Sequence, residues 1–243
     1  MKRITLSFQR IDQSPIDLAT KFHGFLMEQL EPTYVDWLHE QETNPYSIKV
    51  IHQKDQTTWM VHLLTEDAIK QILPPMLELK KVDLHGLATL TVQSVTMQDL
   101  SSEELFDLFN QNQDQSFFTI QFQTPTGFRS QGEYVLFPTL RLIFQSLMMK
   151  YGRLFENRED IEEETLDYLT SHSRITSYRM ETSYFKVHGK KIPAFKGKLT
   201  FKITGPSTLK AYANMLLKFG EYAGLGMKTS LGMGGIELEE RKD

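Results

Sequence analysis

From Gly224 to Gly235 the chain reads Gly-Leu-Gly-Met-Lys-Thr-Ser-Leu-Gly-Met-Gly-Gly, two Gly-apolar-Gly pairs with Lys228, Thr229 and Ser230 between them. Glycine has no Cβ, so such a loop can take positive φ and bring its amides close to an anionic ligand. Thr208 to Tyr222 before it has the period of a helix, and Ile236 and Leu238 after it alternate as a strand. That order is the reverse of a nucleotide-binding fingerprint, and the Gly-Lys-Ser/Thr ending of a phosphate loop is missing. A tight helix-to-strand turn would also use glycine, but the spacing of the two pairs points to a clamp on a nucleic-acid backbone. The other residues suited to chemistry are seven histidines. An unperturbed imidazole exchanges protons near neutral pH.

Charge is distributed to match. The net charge is −4, yet residues 172–236 hold 11 Lys and Arg against 2 Asp and Glu, while residues 1–171 hold 14 against 25. A basic segment on an acidic chain is expected of a localised polyanion site. There is no cysteine, hence neither a disulfide framework nor a thiolate metal centre. No carboxylates cluster at metal-ligand spacing, which disfavours a metal-dependent nuclease. Met1-Lys2-Arg3-Ile4-Thr5 lacks a signal-peptide run, and no stretch is long and apolar enough to cross a membrane, so the cytoplasm is the expected location, with no membrane partner.

The elements that must position these residues follow from hydrophobic periodicity. Ile4, Leu6 and Phe8 alternate as a strand, and Ser14-Pro15 opens a helix through Leu18, Phe22, Phe25, Leu26 and Leu30 that Glu31-Pro32 stops. Val35, Leu38 and the Trp37-Leu38-His39-Glu40 run make a short helix, an Asn44-Pro45 turn follows, and residues 47–51 and 58–64 pair as strands. Thr65 caps a helix ending near Pro74-Pro75, and Leu90, Val92 and Val95 make a strand. Residues 99–116 connect. The order then recurs: Phe118, Ile120 and Phe122 as a strand, a turn at 124–127, a helix over 140–154 and an acidic helical insertion over 160–169. A basic hairpin (174–187 and 195–204), the last helix and the last strand complete it. Two β-α-β-β-α-β runs predict an α+β protein with tandem ferredoxin-like, RRM-like domains over 1–98 and 117–243.

At this point the glycine loop resembles the signature of the RAMP superfamily of CRISPR-associated proteins. Phe22-His23-Gly24-Phe25-Leu26-Met27, Trp37-Leu38-His39-Glu40, Phe137-Pro138-Thr139 and Lys218-Phe219-Gly220-Glu221-Tyr222 extend the likeness over both halves. Together they resemble the repeat-RNA-processing endoribonucleases of that superfamily. The resemblance implies cleavage of a CRISPR precursor transcript within each repeat, without metal or any other cofactor. The substrate's 2′-OH attacks the adjacent phosphate and leaves a 2′,3′-cyclic phosphate and a 5′-OH. CRISPR repeat RNA is the implied partner; a CRISPR effector complex and a homodimer are further candidates.

On that likeness His39 matches the catalytic histidine of the family. His23, one helix earlier, is the candidate second proton carrier or phosphate contact, standing where some relatives use a tyrosine; packing at the helix edge is the competing role. Relatives often carry a lysine soon after the Leu-His pair, and Lys49 is the nearest here. Gly224, Gly226, Lys228, Thr229, Ser230, Gly232, Gly234, Lys190 and Lys191 are the expected RNA contacts. His52, His62 and His85 read as structural and His188 as an exposed turn residue. Two other functions stay open: a RAMP-type subunit that binds guide RNA without cutting it, and an RRM-like regulator stacking bases on Phe118, Phe122 and Phe201.

Overall fold

The computed structural model describes residues 1–111, 115–187 and 189–239; His188 and residues 112–114 of the polar connection lie outside them. In the first half β1 (Lys2–Gln9) is followed by α1 (Pro15–Glu28) and α2 (Pro32–Glu40). The hairpin β2 (Tyr46–Gln53) and β3 (Gln56–Leu63), α3 (Glu66–Glu78), the short β4 (Lys81–Val82) and β5 (Leu90–Thr91), β6 (Ser94–Asp99) and α4 (Ser102–Gln111) complete it. The second half has β7 (Phe117–Thr126), the small hairpin β8 (Phe128–Ser130) and β9 (Glu133–Val135), and α5 (Leu140–Tyr151), which runs into a π-helical turn (Gly152–Glu156). Then come α6 (Glu163–Ser171), β10 (Ser173–Val187), β11 (Lys190–Ile203), α7 (Ser207–Ala223) and β12 (Ile236–Leu238).

Two four-stranded antiparallel sheets result, ordered β2-β3-β1-β6 and β10-β11-β7-β12. Counted within each β-α-β-β-α-β unit, both sheets have the order second, third, first, fourth, which is the ferredoxin-like arrangement. In the first, Leu6 faces Trp59 on one side and Val95 on the other. In the second, Ile120 stands between Leu199 and Leu238. Helices cover the apolar faces. Phe22 stacks on Trp59 at 4.6 Å between ring centroids, and Phe144 meets Phe201 edge-on. Phe118, Phe122 and Phe201 are all in this second core; they are packing residues, and the base-stacking reading fails because the alternation aims them at the helices.

Several local expectations change. The first helix ends at Glu28, and Pro32 takes the opening position of α2, where a missing N–H costs nothing. The helix of 66–78 passes through Pro74 and Pro75. Ile72 and Met76, one turn apart, are both fully buried, and their packing outweighs the two lost helix hydrogen bonds. Thr124 to Thr126 continue β7 rather than turning, and the reversal is made by β8 and β9. The helix of 140–154 ends as regular α-helix at Tyr151 and winds into the π turn.

The halves are not separate in packing. The distal part of the β10–β11 hairpin places Phe185, Ile192 and Ala194 in the first hydrophobic core, together with Met233 of the glycine loop. Strand β2 is buried on both faces from Tyr46 to Val50. Its even residues Tyr46, Ile48 and Val50 belong to the first core. Its odd residues meet the second half, where Ser47 Oγ donates to the Tyr222 carbonyl.

Candidate active site

Helix α1 is capped by Ser14, whose Oγ accepts from Ile16 N, and buries Leu18, Phe22 and Leu26. His23 follows Phe22 and is left on the partly exposed flank. Helix α2 buries Tyr34 and Leu38 and puts His39 in its last turn, exposed. Both imidazoles open onto one cavity of about 360 Å³, whose walls also include Tyr46, Lys150 and the loop residues Gly226 to Leu231. The structure therefore brings together His23, His39, Gly226, Lys228, Thr229 and Ser230, residues from opposite ends of the chain.

Tyr46 was not singled out in the sequence. Its hydroxyl lies 3.3 Å from His23 Nδ1, and the two rings are nearly parallel. Burial pushes its phenol well above the usual range, so it stays protonated and serves as a fixed partner for the imidazole. Asn44 reaches Ser230 Oγ at 3.5 Å, joining the α2–β2 connection to the loop. Arg153, in the π turn, holds that connection from the other side through Glu42 at 2.6 Å and Thr43 Oγ1 at 3.3 Å, and also pairs with Glu159 at 3.1 Å.

Lys49 is elsewhere. It is buried on the odd face of β2, and its Nζ points to the Ile236 carbonyl at 3.4 Å. Burial, and the nearby Arg3, bring its ammonium down to about 8. A lysine that does line the cavity is Lys150, at the end of α5. Its Nζ donates to the Gly224 carbonyl at 3.0 Å, the Ala223 carbonyl at 3.3 Å and Thr229 Oγ1 at 3.3 Å. All three partners are neutral, and burial alone brings it down to about 7.

The glycines act differently from expectation. The amides of Gly224, Gly226, Gly232 and Gly234 are spent inside the protein, on Gly220 O, Ser146 Oγ, Thr229 O and Pro125 O. Gly226, at φ +72°, lies so close to the junction of β7 and β8 that a Cβ would stand 2.2 Å from the Gly127 carbonyl. A Cβ on Gly232 would stand 2.6 Å from that of Ala19 in α1. These glycines let the loop dock tightly on both halves; the residues it offers to the cavity are Lys228, Thr229 and Ser230. Lys228 is exposed and itself left-handed, at φ 56°.

Lys190 and Lys191 do not line the cavity. They stand at the tip of the β10–β11 hairpin, with Lys191 Nζ 4.8 Å from the centre of the Tyr184 ring. His52 bridges the Gln13 carbonyl and Thr57. His62 is buried against Ser47 and held far below the usual imidazole range by burial and by the charges of Lys49 and Arg3. Both are structural. His85 is exposed in the β4–β5 connection, where its carbonyl accepts from Lys21.

The comparisons with known proteins bear on this geometry. The family CRISPR-associated endoribonuclease Cas6 matches residues 120–236. A CRISPR-associated endoribonuclease Cas6 of Streptococcus thermophilus is 61% identical over 243 residues, covering all of both chains. The chain belongs to the Cas6 family. A Cas6 of Mycobacterium tuberculosis (strain CDC 1551 / Oshkosh) is 32% identical over 251 aligned positions, covering 98% of this chain and 78% of the relative. Among solved structures, a Cas6 (TTHA0078) product complex has a TM-score of 0.80 at 22% identity, covering 99% of this chain and 100% of that one. The fold is accordingly that of Cas6, and the chain is an endoribonuclease of that family.

Proposed function

We propose that this chain cuts CRISPR precursor transcripts within their repeats, without metal, by attack of the substrate's own 2′-OH on the adjacent phosphate. The observation that carries the reading is the single cavity that gathers His23, His39 and residues 228–230. In-line transfer needs one group to take the 2′-OH proton, another to protonate the departing 5′ oxygen, and positive charge at the phosphate. Two imidazoles on one cavity suit the first two tasks. His39 takes the proton from O2′ as the O2′–P bond forms. His23, held by Tyr46, gives one to O5′ as the P–O5′ bond breaks. Lys228, Thr229 and Ser230 hold the phosphate, and the basic hairpin with Lys190 and Lys191 follows the RNA further along.

The test is incubation of the protein with a labelled repeat RNA in EDTA. Cleavage within the repeat, with 2′,3′-cyclic phosphate and 5′-OH ends, and its loss when the nucleotide before the cut is 2′-deoxy, are expected. Tight binding without cleavage would instead make this a guide-RNA-holding subunit.

A further inference from the structure

We propose that Lys150 is a further catalytic residue, the cation that the cavity presents to the phosphate of the bond being cut. The proposal rests on the reading of the cavity as the cleavage site.

Lys150 sits one turn before Arg153, at the end of α5, and is the cavity's inner cation; Lys228 is the outer, exposed one. Its partners are two carbonyls and one hydroxyl. A partly buried ammonium bound only to neutral oxygens, with no counter-ion among the described residues, is costly for folding alone. The other titratable groups on the cavity are His23 from α1, His39 at the end of α2, Glu42 in the connection that follows, Tyr46 from β2 and Lys228 from the loop. Glu42 is the only carboxylate among them, and it is occupied by Arg153 at 2.6 Å. The missing counter-ion is therefore one the substrate supplies.

The reaction explains why a charge is wanted there. As O2′ closes on phosphorus and O5′ departs, the phosphate passes from one negative charge toward two on its non-bridging oxygens. A fixed ammonium beside those oxygens stabilises that state more than the ground state. Lys150 takes no part in moving the two protons; its own proton stays on Nζ throughout. A bound phosphate then replaces one of the neutral partners, the Thr229 hydroxyl being the one that belongs to a flexible side chain.

The competing role is structural, since the same lysine ties down the glycine loop. Ser146, on the same helix, ties the same loop through the Gly226 amide at 2.9 Å and carries no charge. The experiment compares Lys150→Met, Lys150→Arg and Ser146→Ala in single-turnover cleavage of repeat RNA. Affinity is measured with a repeat carrying a 2′-deoxy nucleotide at the cut. Lys150→Met should slow cleavage about 10²–10³-fold, the loss seen when one stabilising donor is removed, with affinity within a few-fold of the unaltered protein. Lys150→Arg should restore most of the rate, and Ser146→Ala should stay within a few-fold. Equal losses in Lys150→Met and Ser146→Ala, or a Lys150→Met protein that cuts normally, would overturn the proposal.

A second measurement is independent of cleavage. The Lys150 Nζ resonance, followed by NMR against pH, should titrate near neutrality in the free protein. With the 2′-deoxy repeat bound it should titrate higher by about one pH unit, the effect of an opposite charge at close range. A resonance indifferent to RNA overturns the phosphate contact. If His39→Ala cuts normally, the cleavage reading fails while this titration still reports on Lys150.

Discussion

His39 stands exposed at the mouth of the cavity and is not built into the packing, so its loss should leave the fold and the RNA grip alone. His39→Ala is expected to slow single-turnover cleavage about 10²–10⁴-fold, the usual worth of a general acid or base, with repeat affinity unchanged in a filter-binding assay. His23→Ala should act similarly and alter the pH–rate profile without lowering the melting temperature. Tyr46→Phe removes only the hydroxyl that holds His23 and should cost roughly threefold to tenfold in rate, the worth of one hydrogen bond. At this scale the two histidines named from the sequence share one cavity, while Lys49 faces the Ile236 carbonyl instead. Side chains alternate faces along a strand, so Lys49, three positions after Tyr46, had to point away from the cavity that Tyr46 borders. Lys150 was invisible for another reason: nothing within the run of α5 says that its end meets a loop 74 residues later.

The glycine loop shows what an element adds. Its spacing was legible as a motif, but its physics was misread, because which amides are free depends on β7 and α5 and not on the loop's own composition. Gly232→Val should therefore fail by unfolding, since its side chain would collide with Ala19 of α1. A lowered melting temperature by circular dichroism should accompany any loss of RNA binding. Lys228→Ala and the Lys190→Ala/Lys191→Ala pair should fold normally. Each phosphate contact they remove should lower the slope of log affinity against log salt by roughly 0.7 for single-stranded RNA. Regular elements were easier to read: alternation at Ile4, Leu6 and Phe8, and at Phe118, Ile120 and Phe122, fixes two central strands whatever surrounds them. The helix through Pro74 and Pro75 was not, because burial of Met76 decided it.

For the whole molecule, the seam between the two sheets carries its own signature. Lys49 is buried there at about 8, against an ordinary value of 10.5. Below about pH 8 both folded and unfolded chains carry the proton, and the folded one bears the cost of burying it. Between about 8 and 10.5 the folded lysine is neutral while the unfolded one is still charged, so stability rises with pH across that window. Lys49→Met should be the more stable protein at pH 7 by urea titration, and its advantage should shrink as pH climbs from 8 to 10. Phe185, Ile192, Ala194 and Met233 complete the first core from the second half, which is a fold-level dependence that two matching element orders do not reveal.

The same long-range closure has a meaning in time. Asn44, beside the histidines, and Ser230, which it reaches, are 186 positions apart. A ribosome making this chain releases His23 and His39 early, with no loop wall yet opposite them. On the proposed reading, the cleavage site is complete only once synthesis has passed the glycine loop.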